Sequence, residues 1–168
     1  MTPRSQLVLR AIVLLGPVVA LLMTGPAGHW PPLWIVLPVA GLGATAAAAP
    51  DSPVAAGAGL VVLAWWTISL GDGVPAWVLV AAVALLAGHL AGLLAAYGPR
   101  QQPLDRATVL LWVRRGALVA LTVPAAWAAV RALHGEPEQP GIWVLGVAAA
   151  CVATVAATAA VEVRRTDS

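Results

Sequence analysis

The residue best placed to do chemistry is His89, which sits between Gly88 and Leu90 in a long apolar run with Gly92 just beyond. An ionisable group within such a run is a functional candidate by default. A neutral imidazole there can relay a proton or bind a ligand. The alternative is a structural imidazole, hydrogen-bonded to a hydroxyl on a neighbouring helix. Thr45, Thr67, Thr122 and Thr154 are the candidate partners. Gly88 and Gly92 form a GxxxG pair, which lets two helices approach at backbone distance. We expect them to be packing positions.

Other chemistry finds little support. His29, Asp72, His134, Glu136 and Glu138 fall in short polar segments. Imidazole and carboxylate together can ligate a metal, but no HxxxH or HExxH spacing links them. The chain has one cysteine, Cys151, so an intrachain disulfide and a cysteine-rich zinc site are both excluded. Neither GxSxG nor a P-loop is present. We therefore expect a protein that is not an enzyme and carries no cofactor. Arg106, Arg114 and Arg115 form a third group. They suit anionic lipid headgroups or a protein partner, or serve simply to orient the chain in a membrane. No basic run with interleaved aromatics exists, so nucleic acid is not an expected ligand.

The elements that carry these residues follow from composition. Of 168 residues, 61% are hydrophobic and 10% charged. Soluble domains carry roughly 25% charged residues. A chain this short has no interior large enough for so much apolar surface, so lipid must solvate it. An all-α, polytopic transmembrane bundle is expected. A crossing helix needs about 20 apolar residues, with about 17 as a lower limit. Runs of that kind cover 7–23, 33–49, 54–70, 76–97, 116–133 and 142–161, which makes about six spans in a single membrane domain. Turn signals separate them, such as Pro50-Asp51-Ser52-Pro53 and Gly71-Asp72-Gly73. Segment 98–115 is polar at both ends and is expected to be a short cytoplasmic interfacial helix. Pro17, Pro38 and Pro124 lie inside spans and are expected to kink them.

Charge supplies the orientation. All nine basic residues are Arg. With six spans, Arg4, Arg10, Arg100, Arg106, Arg114, Arg115, Arg164 and Arg165 share one side, and Arg131 alone is on the other. The positive-inside rule makes the first side cytoplasmic, with both termini there. Every Trp except Trp112 falls in the opposite half, where indoles favour the interface. The start of the chain also has the look of a signal peptide, with Arg4 and Arg10, an apolar stretch and Gly25-Pro26-Ala27. Pro26 and the spans that follow argue for an uncleaved first helix. The Ala- and Arg-rich composition without Lys points to a high-GC bacterium, and so to its cytoplasmic membrane.

The order of Pro31-Pro32-Leu33-Trp34, Ala49-Pro50-Asp51-Ser52, Gly88-His89 and Leu110-Leu111-Trp112-Val113-Arg114-Arg115 resembles a group of small integral membrane proteins of high-GC Gram-positive bacteria. Some of these are encoded beside MoxR-type AAA ATPases. The resemblance implies an accessory part in assembling envelope complexes, and it brings no catalytic residues with it. The expectation is thus a non-enzymatic membrane scaffold with a protein partner, or a homo-oligomer. The alternative is a small oligomeric transporter or channel subunit with His89 near the pathway.

Overall fold

The computed structural model describes residues 4–69, 74–96 and 105–133. The chain divides into two units, Met1–His134 and Gly135–Ser168. The second unit lies outside the described residues, and with it the expected span 142–161, Cys151 and Thr154.

Within the first unit the described residues form helices, with no strand among them. These are α1 (Arg4–Leu22), α2 (Leu33–Ala48), α3 (Val54–Ser69), α4 (Trp77–Ala96), α5 (Arg106–Ala120) and α6 (Thr122–Leu133). Prolines stand just before α2, α3 and α4. Pro32 precedes α2 with φ −71° and ψ 155°, and Pro53 accepts the first-turn bonds of α3 from the N–H groups of Ala56 and Gly57. Pro suits these places because the first-turn N–H groups have no partner within the helix. α5 starts differently. Asp105 is its N-cap, and its carboxylate accepts the N–H of Thr108 at 3.3 Å. At the end of α1, Gly28 has φ 99°, a conformation that a side chain would strain. The N–H of His29 there returns to the Thr24 carbonyl at 2.9 Å.

Three stretches are long and apolar enough to cross a membrane: Ser5–Leu22, Trp77–Ala96 and Ala107–Ala132. α2 and α3 have 16 residues each. At a rise of about 1.5 Å per residue they extend about 24 Å, short of the roughly 30 Å of hydrocarbon.

The boundary expected between an interfacial helix ending at Arg115 and a span beginning at Gly116 is absent from this structure. α5 runs through both residues to Ala120. Arg is a good helix former, and one interior Gly costs about 1 kcal/mol, too little to end a packed helix. The interruption comes instead at Leu121, three residues before Pro124. A proline lacks the N–H that residue 120 would need, and its ring crowds that same carbonyl. By contrast, α1 and α2 each run through their proline, Pro17 or Pro38, as one helix.

α1 is the centre of the bundle. It packs against α4, α2 and α3, and α4 carries α5 and α6 on another side. α1 runs antiparallel to both α2 and α4. Gly16 meets Gly88 while Val13 meets Gly92, and Leu14 meets Gly43 while Arg10 reaches Ala47. One apolar cluster joins Ala20, Leu21, Ile35, Val39, Val62, Trp66 and Ala81. A second joins Val13, Ala46 and Ala91. This alternation gives the bundle two unlike ends. The starts of α1, α3 and α5 gather with Arg10 at one end. Trp30, Trp34, Trp65, Trp66, Trp77 and Trp127 gather toward the other.

Candidate functional site

His89 is exposed on α4 and borders a cavity of about 240 Å³. Pro17 of α1, Gly43 and Ala46 of α2, and Ala55 and Gly59 of α3 form much of its wall. These residues are small, and the hollow exists because they leave space between the helices. The described threonines do not hold the imidazole. The Thr45 and Thr67 hydroxyls donate to carbonyls of their own helices, those of Gly41 and Leu63, and the Thr122 hydroxyl donates to the Val119 carbonyl in the last turn of α5. These bonds measure 2.8, 2.9 and 2.7 Å.

Gly88 and Gly92 lie on the side of α4 that meets α1. The tightest point is on the other helix, at Gly16. A Cβ built there would stand 2.8 Å from the Ala84 carbonyl oxygen and 3.0 Å from Gly88 Cα. Both contacts are backbone, so neither can swing away. Gly88 has more room, the nearest described neighbour of a Cβ there being Gly16 Cα at 3.5 Å, and among the described residues a Cβ at Gly92 would touch Val13 alone, at 3.9 Å. The sequence reading missed Gly16. The signal was present, because Gly16 and Ala20 form a small-xxx-small pair on α1. Gly43 makes a similar approach, with 3.0 Å to the Leu14 carbonyl oxygen.

Arg106 opens α5, and Arg114 and Arg115 are exposed further along it. Gly116 lies against Leu90, which sets the register of α5 on α4. Arg114 and Arg115 are then nearly level with Gly92 and Val13. At a rise of about 1.5 Å per residue, that is roughly one helical turn inward of Arg10. Long arginine side chains can reach back over such a distance.

Arg10 makes a contact that sequence reasoning did not anticipate. Its guanidinium donates to the Ala47 carbonyl and, at 3.3 Å, to that of Ala48. These carbonyls belong to the last turn of α2, which has no helical N–H left to satisfy it. A cation there also opposes the negative end of the helix dipole. Arg10 Nη2 and the Oε1 of fully buried Gln6, one turn away, have no hydrogen-bond partner among the described residues.

The tryptophans at the far end act as hydrogen-bond donors. Trp66 Nε1–H donates to the Ala20 carbonyl at 2.9 Å, and Trp65 Nε1–H to Thr24 Oγ1 at 3.2 Å. The Thr24 N–H turns to Leu21, so it leaves the Ala20 carbonyl to Trp66. Trp34 meets Trp65 edge-on, with centroids 6.4 Å apart. Trp127 Nε1–H donates to Val74 at 3.1 Å, joining α6 to the approach of α4. The Arg131 guanidinium lies 5.5 Å from the Trp127 ring centroid, within cation–π range.

Of the polar loop residues, His29 is exposed beside Gly28, while Asp72, His134, Glu136 and Glu138 lie outside the described residues. Among the described residues, no group of three or more His, Cys, Asp or Glu side chains could hold a metal. Comparison with family models, curated proteins and solved structures finds no match for this chain.

Proposed function

We propose that this chain is a non-enzymatic integral membrane component. In this reading it is an accessory or scaffold subunit of a larger membrane or envelope complex. The observation that carries the reading is the apolar outer surface of the helices. Leu7, Leu37, Leu60, Ile68, Leu110 and Leu118 are each more than half exposed. Side chains of this kind on several helices have a favourable environment only in lipid or against another apolar protein surface.

In this proposal about six spans cross the cytoplasmic membrane of a bacterium, with both termini inside. The arginine end faces the cytoplasm and the tryptophan end faces outward. Arg106, Arg114 and Arg115 then meet the inner surface, where they contact a protein partner or anionic lipid. Pull-down of the full chain in mild detergent, followed by mass spectrometry, tests the scaffold role. A defined partner should co-purify, and Arg106→Gln with Arg114→Gln and Arg115→Gln should weaken its recovery. Unchanged recovery in a protein that still inserts correctly would count against that role.

The cavity beside His89 favours a second reading, an oligomeric transporter or channel subunit with the imidazole near its pathway. That protein would move a solute across liposome membranes, and His89→Ala would abolish the movement. The scaffold reading expects the same substitution to leave partner recovery intact.

A further inference from the structure

A groove of about 570 Å³ opens between α1, α4 and α5. Val8 and Ile12 line it from α1, Leu86 and Leu94 from α4, and Val113 and Ala117 from α5. Among the described residues that line it, Ser5 is the one with a polar side chain. Along α4 the groove extends from Leu94 back to Val83, about 16 Å at a rise of about 1.5 Å per residue. One leaflet of a bilayer has about half of the roughly 30 Å hydrocarbon thickness, so the two lengths match.

The groove also has a direction. It starts at the arginine end, where Ser5 follows Arg4 at the opening of α1 and Val109 lies one turn after Arg106 at the opening of α5. Both helices begin here, so their positive dipole ends point the same way. Arg114 and Arg115 are exposed on the same α5. Asp105, an acidic residue at the start of α5, is engaged as the N-cap of that helix. In the other half of the bundle, α6 reaches the approach to α4 through Trp127 and Val74. A membrane-spanning partner helix would need a groove along the full length of α4. A chain one leaflet long needs only what is there.

We infer that this groove holds an acyl chain of an anionic phospholipid, drawn from the leaflet at the arginine end, with its phosphate near the starts of α1 and α5. The inference rests on the membrane setting proposed above and does not require the scaffold role.

The test uses the full chain in phosphatidylcholine nanodiscs containing a minority of phosphatidylglycerol with a photoreactive acyl chain. A matched photoreactive phosphatidylcholine serves as the comparison. Crosslinked peptides should map to the groove residues of α1, α4 and α5, with phosphatidylglycerol preferred. Ala87→Phe, or Ala120→Phe from the opposite wall, should reduce this labelling severalfold. Each of Arg4→Gln and Arg106→Gln, at the starts of α1 and α5, should cut the preference for the anionic lipid about fivefold, the weight of one basic residue at a charged surface. Labelling spread evenly between the groove and the exposed Leu60 and Ile68 of α3 would overturn the inference, as would equal labelling by the two lipids. So would an efficient crosslink between cysteines at Val113 and within 142–161, because the chain itself would then fill the groove. If either Phe variant misfolds, the two-lipid comparison on the unaltered chain decides. Failure of the chain to resist alkaline extraction from membranes would sink the membrane setting as well. Extraction-resistant protein without lipid preference would sink the groove alone.

Discussion

Gly16 is where a single atom matters most. An added Cβ meets α4 backbone from two directions, so Gly16→Val must push the helices apart. Overpacking of this kind costs about 1–3 kcal/mol. The denaturation midpoint in mixed micelles should fall, whereas Gly41→Ala should leave it level or raise it slightly. Gly41 has nothing within 4 Å of a built Cβ, and Ala is the better helix former. Equal behaviour of the two variants would contradict the α1–α4 contact. Trp66 offers a second residue-scale test. Trp66→Phe keeps an aromatic ring but strands the Ala20 carbonyl, at a cost of about 1–3 kcal/mol for a buried, unpaired polar group. A midpoint unchanged from the original chain would show that this hydrogen bond carries no weight. At this scale the sequence was partly legible. Gly88 and Gly92 stood out by spacing, but Gly16, the partner of Gly88, did not, because a pairwise approach depends on which helix lies opposite. The role of Trp66 was hidden for the same reason, its acceptor lying on α1 far away along the chain.

At the scale of elements, apolar run length was informative and run boundaries less so. α2 to α4 fall within the apolar runs read from the sequence, since turn residues such as Pro50 and Pro53 are local signals, whereas α1 starts at Arg4, ahead of its run at 7–23. The boundary expected between segment 98–115 and a span from Gly116 is not where the helix is interrupted, because charge and helix breaking are separate properties. Arg114 and Arg115 mark where a helix meets a polar surface, while Pro124 determines where its backbone is interrupted. Arg10 ties two elements together. Arg10→Gln removes the charge that caps the α2 carbonyls and should lower stability by about 1–3 kcal/mol. Arg10→Lys should recover part of the loss, because a point charge still opposes the dipole without the planar fork. If Gln proves as stable as Arg in unfolding experiments, Arg10 serves orientation in the membrane and nothing more.

Across the described helices, the up-and-down order of α1 to α5, with α6 continuing in the direction of α5, sets Arg10 apart from Trp30, Trp34, Trp65, Trp66, Trp77 and Trp127. Proximity along the chain cannot do this, since Trp34 and Trp65 meet across a gap of 31 positions. The lipid interface accounts for it if the bundle crosses the membrane with its arginine end inside. The direct measurement is labelling of intact cells with a membrane-impermeant maleimide, in a Cys151→Ala background carrying either His29→Cys or Ser52→Cys. His29 lies beyond α1 at the tryptophan end, and Ser52 lies in the turn between α2 and α3 at the arginine end. The account predicts labelling at position 29, and labelling at position 52 only after the cells are opened. Labelling of position 52 from outside, with position 29 protected, would contradict it.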